Sequence, residues 1–496
     1  MVALAAVNLT LLFSSHLSPN ARIILRDDQQ WNTAVQQRWS VFFPPTHVGA
    51  IKPATEQDVA TIVKIASAND IPSLATGAGH GASLTTGNLH DGIDIDLGNF
   101  NGVQVDVANS QVTVGGRPPL SSSMSLSTPP ARRSVSLLLP RAEKLSSSVV
   151  TGPVLNGRPA TASGPCVGVV GATLGGGVTR MQGIHGMLVD SLLSVRVVTA
   201  SGGLVTASET ENPDLFWGLR GAGSNFGIVT SATYKVYDLT NDGQVFNADF
   251  VFAAGQNESV FEAVASYNHV MPPNLAIVQG VAFNPTLGVP TISINAVFYG
   301  PEDQARAAIP PFLAIPNIRS NVSIVPWNVL PSVSSFGTEH NTCTKDNRLD
   351  FYGLGLRAVD VSTFGTVFDQ LSVLYAKQLG VNPVWSVQRF FNAGSLLTAD
   401  DKTAYPHRDL QAHMFIISVI PDAALDSTIA SFVENARDEL DATSGNKKLS
   451  VYVNYAHGDE GAAAWYSRRK LPQLKNLKKK WDAKGLFSFT NPVPAN

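Results

Sequence analysis

Apolar residues along this chain repeat at two spacings, and the change of period marks out its elements. Thr55-Glu56-Gln57-Asp58 forms a capping-box pattern, with Asp58 in the Glu/Gln position. Val59, Ile62, Val63 and Ala66 follow at helical spacing. Asn69-Asp70 turns the chain into a short predicted strand, Ile71 to Ala75, and three period-2 segments come next: Ile93 to Leu97, Val103 to Val107 and Gln111 to Val114. Farther on, Leu193 to Val198 reads as a strand, and Ser201-Gly202-Gly203 as a hairpin turn before Leu204-Val205. Past Tyr237, alternating strands (Phe250 to Phe252, Thr291 to Phe298) mix with helical stretches such as Phe364 to Leu379. The pattern predicts an α+β fold.

One stretch breaks the periodicity. Residues 117 to about 147 run through a serine-rich segment, an Arg pair and a Leu triplet. They read as an irregular insertion, a mobile segment or a mistranslated one sooner than an ordered lid. A recognisable pattern resumes near Thr151-Gly152-Pro153.

Length and charge narrow the function class. A chain of 496 residues exceeds one ordinary core. Its net charge of −3 gives no reason to expect nucleic acid or an anionic membrane as partner. The basic run Lys475 to Lys480 reads as a solvated helix face. Val2 to Phe13 is an apolar run of signal-peptide length, without a basic start or a clear cleavage site, and is too short to span a bilayer. The chain is secreted if that run is a signal peptide and cytoplasmic otherwise. Asn8, Asn257 and Asn321 sit in glycosylation sequons that matter only in the first case. Two cysteines, Cys166 and Cys343, imply no disulfide framework.

Candidate chemistry lies in three glycine clusters. The first, Thr76-Gly77-Ala78-Gly79-His80-Gly81, follows a predicted strand. Glycines there permit positive φ and let backbone N–H groups approach an anionic ligand. Gly77-x-Gly79-x-x-Ala82 formally fits a dinucleotide fingerprint, but Ser83 to Asn88 shows no amphipathic helix to receive a diphosphate, so that reading fails its context. The second cluster runs from Val167 through Gly168, Gly171, Ala172, Gly175 and Gly176 to Gly177. The third lies in Asp214 to Thr230, DLFWGLRGAGSNFGIVT, and includes Gly227 and Ile228.

With these motifs in order, and with Val451-Tyr452-Val453-Asn454-Tyr455 and Asp482 to Pro494 near the end, the chain resembles the FAD-linked oxidases of the vanillyl-alcohol oxidase superfamily, specifically the berberine-bridge-enzyme-like group. The resemblance implies a two-lobed PCMH-type FAD-binding domain, formed by the N-terminal part and the C-terminal tail. Between them lies a middle α+β substrate domain on an antiparallel sheet. The expected boundaries are an N-terminal segment 1–42, the FAD-binding domain 43–237, the substrate domain 238–446 and the returning segment 447–496.

The resemblance also implies site residues. Thr76, Gly77, Ala78, Gly79, His80 and Gly81 match the pyrophosphate loop, and His80 carries the flavin through its 8α-methyl. Val167, Gly168, Gly171, Ala172, Gly175, Gly176, Gly227, Ile228 and Asn454 complete the cofactor site, and no metal is expected. Many members attach the flavin a second time through a cysteine, but here that place is Gly164. Cys166 stands two residues later, about 6–7 Å along an extended chain. Attachment through His80 alone is therefore expected, with Cys166 a buried small residue.

Tyr455 is the candidate catalytic base. A phenol with an ordinary pKa near 10 serves only with neighbours that favour its phenolate, or by orienting the substrate hydroxyl. Arg408 could help it. Met414-Phe415-Ile416-Ile417 leaves no carboxylate base on that stretch. The expected reaction is hydride transfer from an alcohol, a sugar or a hydroxyl of secondary metabolism to the flavin, with O2 as acceptor. Oxidative ring closure in the same pocket and a homologue disabled by the insertion are the alternatives.

Overall fold

In the computed structural model, residues 9–117, 157–158 and 166–495 are described. Most of the irregular stretch, the start of the N-terminal apolar run with its Asn8 sequon, and Gly164 lie outside them.

β1 (Arg22–Leu25), β2 (His47–Lys52), β3 (Ser73–Thr76) and β4 (Gly92–Asp96) form one sheet in the order β1-β2-β4-β3. Its parallel pairs, β2 with β4 and β3 with β4, are joined by the helix Glu56–Ala68. That helix begins as its residues dictate: Thr55 Oγ1 accepts from Asp58 N at 3.1 Å, and Asp58 Oδ2 accepts from Thr55 N at 2.9 Å. Val59, Ile62, Val63 and Ala66 are buried against Ile93 and Ile95 in one cluster, which Leu9 and Phe13 of the short helix Leu9–Phe13 also enter.

β5 (Val103–Asp106), β6 (Gln111–Gly115), β8 (Leu192–Val198), β9 (Leu204–Ser208) and β10 (Ile228–Lys235) form an antiparallel sheet in the order β5-β6-β10-β8-β9. β7 (Gly157–Arg158) and β11 (Tyr237–Asp238) pair separately. The helix Ala462–Trp481 returns from near the C-terminus to this part of the molecule, burying Tyr466 and Leu474 with Phe216 and Phe226. Its basic run is only partly a solvated face: Lys478 is 1% exposed, and its ammonium donates to Asn225 O, Phe487 O and Asp482 Oδ2. The helix turns that position inward, a fact the run of like charges conceals.

The largest sheet has seven antiparallel strands in the order β15-β12-β14-β13-β17-β18-β16, built from β12 (Gln244–Ala253), β13 (Leu275–Asn284), β14 (Val289–Phe298), β15 (Arg319–Pro326), β16 (Leu349–Leu356), β17 (Val384–Phe390) and β18 (Ala412–Val419). Alternation gives it two chemically different faces. Ala412, Met414 and Ile416 join Trp385, Val387, Tyr352 and Leu354 in a core covered by the helices Asn257–Ala265, Val361–Ala376 and Asp426–Thr443. The predicted helix over 364–379 thus starts earlier and stops at Ala376, just before Gln378 takes a φ of 52°. Phe415, Ile417, Leu349 and Phe351 point the other way and pack with Trp39, Ala82 and Tyr455.

Candidate active site

The Thr76–Gly81 loop leaves β3 and is met by an extended segment sequence reasoning passed over. Trp39 N donates to Gly79 O at 2.7 Å, and Arg38 Nη2 donates to Gly81 O at 3.1 Å. Gly79 has a φ of 68°, and a Cβ there would stand 2.5 Å from Gln37 O, so only glycine fits. On the loop's other sides, a Cβ on Gly77 would come 3.2 Å from Gly116 O, and one on Gly168 would touch the Ala78 side chain at 3.2 Å. The second cluster is therefore packed on the first. As the sequence suggested, no amphipathic helix follows; the chain makes only a 3₁₀ turn, Leu84–Asn88.

The same extended segment is stitched to the seven-stranded sheet. Asp346 N donates to Arg38 O and Val41 N to Asn347 O, both at 2.8 Å, and Ser40 Oγ donates to Leu349 O. Trp39 is thereby wedged between loop and sheet. Its ring stacks on His80 at 5.0 Å and meets Phe351 edge-on at 6.0 Å. Phe351 in turn meets Tyr455 at 5.5 Å, and Phe415 meets Tyr455 at 5.3 Å. His80 and Tyr455, distant in sequence, are joined by this run of rings.

Tyr455 sits in a 3₁₀ turn, Val453–Tyr455, and its hydroxyl donates to Gln388 Oε1 at 2.7 Å. β17 pairs Gln388 with His413 of β18, whose ring lies 6.4 Å from that of Tyr455. Burial, reinforced by His407, pushes the His413 pKa down to about 3, so the imidazole is neutral, and its buried Nδ1 has no hydrogen-bond partner. Gly353 lies beneath the tyrosine: a Cβ there would come 2.8 Å from Tyr455 Cβ. The turn is locked to the second glycine cluster, with Asn454 Nδ2 donating to Ala172 O and to Tyr452 Oη, and Tyr452 Oη accepting from Gly177 N. A side chain on Gly175 would collide with Asn454, and one on Gly176 with Tyr405.

The remaining expected positions differ in burial. Val167 is half-buried, Gly171 faces open space, and Gly227 and Ile228 enter β10 beside Val197 and Val198. Thr76 is buried at the end of β3, opposite Asp96 of β4, and its side chain hydrogen-bonds Asp94. Burial raises the Asp94 pKa to about 7, with Asp96 adding to the rise and Thr76, Arg38 and Lys52 opposing it.

Two expectations are corrected. Cys166 and Cys343 form a disulfide, with Cα atoms 5.5 Å apart, and Cys166 is half-buried instead of buried. Their separation of 177 residues hid the pair. No free thiol remains. Two residues on, Lys345 Nζ donates to Ala78 O at 2.6 Å, so this stretch closes on the loop. Arg408, in turn, does not assist Tyr455. It is 4% exposed and pairs with Asp190 at 2.8 and 3.0 Å, donating also to Thr403 Oγ1 and Ser395 O.

The arrangement fits a flavin. His80 is half-buried, its Nε2 is covered and without a hydrogen-bond partner, and burial together with Lys345 lowers its pKa to about 3. A neutral imidazole beside a glycine loop suits bond formation to a ring methyl. Among the described residues, no group of His, Cys, Asp and Glu is placed to hold a metal, and no helix is long and apolar enough to cross a membrane.

Comparison with known proteins bears directly on this geometry. The "FAD binding domain" family model matches residues 48–117, and "Berberine and berberine like" matches 451–494. FAD-linked oxidoreductase azaL of Aspergillus niger is 38% identical over 478 residues, covering 96% of each chain. FAD-linked oxidoreductase tazG of Aspergillus terreus is 41% identical over 500 residues, covering 99% of this chain and 96% of its own. Among solved structures, Physcomitrella patens BBE-like 1 superposes with a TM-score of 0.81 at 18% identity, covering 99% of this chain and 100% of that one. An Acremonium strictum glucooligosaccharide oxidase superposes with a TM-score of 0.79 at 19% identity, covering 98% of each. At that identity the superpositions speak for the fold.

Proposed function

Because this chain belongs to the berberine-like FAD-linked oxidoreductases, we propose that it is an oxidase whose substrate hydroxyl lies against Tyr455, with FAD bonded to His80 and O2 as the electron acceptor. The observation that carries this reading is the hydrogen bond from the Tyr455 hydroxyl to Gln388 in the same ring cluster that reaches His80 through Trp39. The Thr76–Gly81 loop, Gly168, the Ala172–Gly176 stretch and Asn454 would hold the cofactor. Bound there, FAD would supply a hydride acceptor for the carbon bearing the hydroxyl and a route for the electrons to O2, with hydrogen peroxide as the product.

The chain's own residues supply orientation. Gln388 accepts the phenol's own proton in a hydrogen bond and so fixes a neutral Tyr455. The phenol's oxygen lone pair can accept a hydrogen bond from the substrate hydroxyl and orient it as the C–O single bond becomes a carbonyl, the released proton passing to solvent. Trp39, Phe351 and Phe415 wall this region with aromatic surface. They favour apolar or aromatic carbon beside the reacting hydroxyl over a bare sugar chain.

Air-saturated assays of peroxide release against aryl and allylic alcohols and against oligosaccharides test the proposal. Peroxide with the former class is expected; a protein full of flavin that releases none with either class overturns it. Acid precipitation adds the linkage: a yellow pellet is expected, and a colourless pellet under a yellow supernatant rules out attachment at His80.

A further inference from the structure

Two residues beyond Tyr455 stands a buried group that plays no part in the mechanism above. His457 is 5% exposed, and both ring nitrogens face carboxylates from different parts of the chain: Nδ1 lies 2.9 Å from Asp459 Oδ1 and Nε2 lies 3.1 Å from Asp350 Oδ1 of β16. Its ring stacks on Tyr352 at 3.8 Å and 15°. Nδ1 hydrogen-bonds Asp459, whereas Nε2 lies within ion-pair distance of Asp350 without hydrogen-bond alignment, and two carboxylates at that range favour the imidazolium.

Every element packed on this ring contributes charge. From the helix Asp426–Thr443, Arg437 pairs with Asp459 at 2.7 Å and approaches Glu460 at 3.6 Å, while Glu434 adds negative field at Tyr352. Glu460 accepts from His457 N at 2.9 Å and from Trp465 Nε1. Asp350, Asp459 and Glu460 therefore face Arg437 and a protonated His457, with Arg348 adding a positive field at Asp350. Without the histidine's proton, one carboxylate loses its partner in a buried setting.

The backbone of the same residue reaches the cofactor loop. Leu84 N donates to His457 O at 2.7 Å, and Ser83 Oγ also points at that oxygen. Ser83 follows His80 by three residues, and Asp350 immediately precedes Phe351, which packs on Tyr455 and Trp39. One residue thus ties three segments, the stretch after His80 through its backbone oxygen and the start of β16 through its ring, beside the Tyr455 turn.

We propose that His457, as a cation clasped between Asp350 and Asp459, is a positioning residue that holds Tyr455 in register with the His80 loop, so that loss of its proton loosens the site and limits turnover at alkaline pH. The proposal rests on the oxidase reading for its kinetic arm but not for its stability arm. Burial alone would lower the histidine's pKa; the contacts to Asp350 and Asp459 outweigh that and push it up to about 9. A raised value in the folded state means the clasp stabilises fully below the unfolded value of about 6.5. That stabilisation is lost as pH climbs from there through about 9.

Wild type, His457→Phe, His457→Lys and Asp459→Asn holoenzymes are compared by thermal unfolding from pH 6 to 10 and by kinetics on the alcohol that releases most peroxide. Wild type is expected to lose Tm across that window and His457→Phe, which keeps the stack without the charge, to show a clearly shallower profile. In His457→Phe kcat falls about tenfold to hundredfold, KM changes little and flavin content is retained. His457→Lys, which keeps a cation, recovers part of kcat. Asp459→Asn, a milder change at a more exposed carboxylate, moves the alkaline limb of kcat to lower pH. Identical Tm and kcat profiles in wild type and His457→Phe overturn the clasp and leave the oxidase reading intact. The expected Tm profiles with no turnover of any alcohol overturn the oxidase reading and the kinetic role together, leaving only the structural one.

Discussion

Tyr455 donates its hydroxyl to Gln388 Oε1 at 2.7 Å, linking a turn near the C-terminus to the middle of the seven-stranded sheet. The two residues lie 67 positions apart, and only the return of the chain beside the glycine clusters brings the phenol to face that strand.

Tyr455→Phe keeps the ring among Phe351, Phe415 and Tyr452 and removes the hydroxyl that Gln388 holds for orienting the substrate. Flavin content should be unchanged, while anaerobic stopped-flow reduction by substrate should slow by about 10² to 10⁴. Reduction at the wild-type rate would move the orienting role elsewhere, with His413 the next group to replace.

His80→Ala should leave the fold intact, because the ring is only half-buried. The purified variant should release all its yellow colour into the supernatant on acid precipitation, whereas the wild-type peptide spanning position 80 should carry the added mass of FAD. A variant that keeps acid-stable colour would put the bond on another residue.

Cys343→Ser opens the bridge to Cys166. A link between residues 177 apart restricts the unfolded chain strongly, and its loss should cost about 2–4 kcal/mol. Urea unfolding of wild type with and without a reductant checks this: the reductant should lower the midpoint for wild type and leave the variant unmoved.

Arg408→Ala strands Asp190 in a site only a few per cent exposed. Breaking a buried pair from one side should cost about 3–5 kcal/mol, read as a lower denaturation midpoint at unchanged slope. The same substitution should not alter the pH dependence of flavin reduction, since the guanidinium is bound to Asp190 and not to the phenol.

What could be read from the chain beforehand was what depends on neighbours in sequence. The Thr55–Asp58 cap, the helix behind it and the strand entering the first glycine loop all follow from local rules, and all are present. The family resemblance reached further, to the antiparallel sheet and the returning C-terminal segment. Contributions set by tertiary register stayed hidden. Trp39 lies before the stretch where the motifs begin, and Gln388 and His413 are polar residues on largely apolar strands, brought opposite each other only because β17 and β18 pair in one register. Lys478 looked like part of a charged surface, and nothing local marks the one lysine of that run that turns inward to three acceptors.

Gly353 gives this architecture an adjustable floor. The tyrosine rests directly on its backbone, where even one methyl group would intrude on Tyr455 Cβ. The height of the phenol above the sheet is therefore set by a side chain that is missing. A single added carbon at that spot would stand 2.2 Å from Tyr455 O, so the whole turn that carries the phenol would have to shift with it.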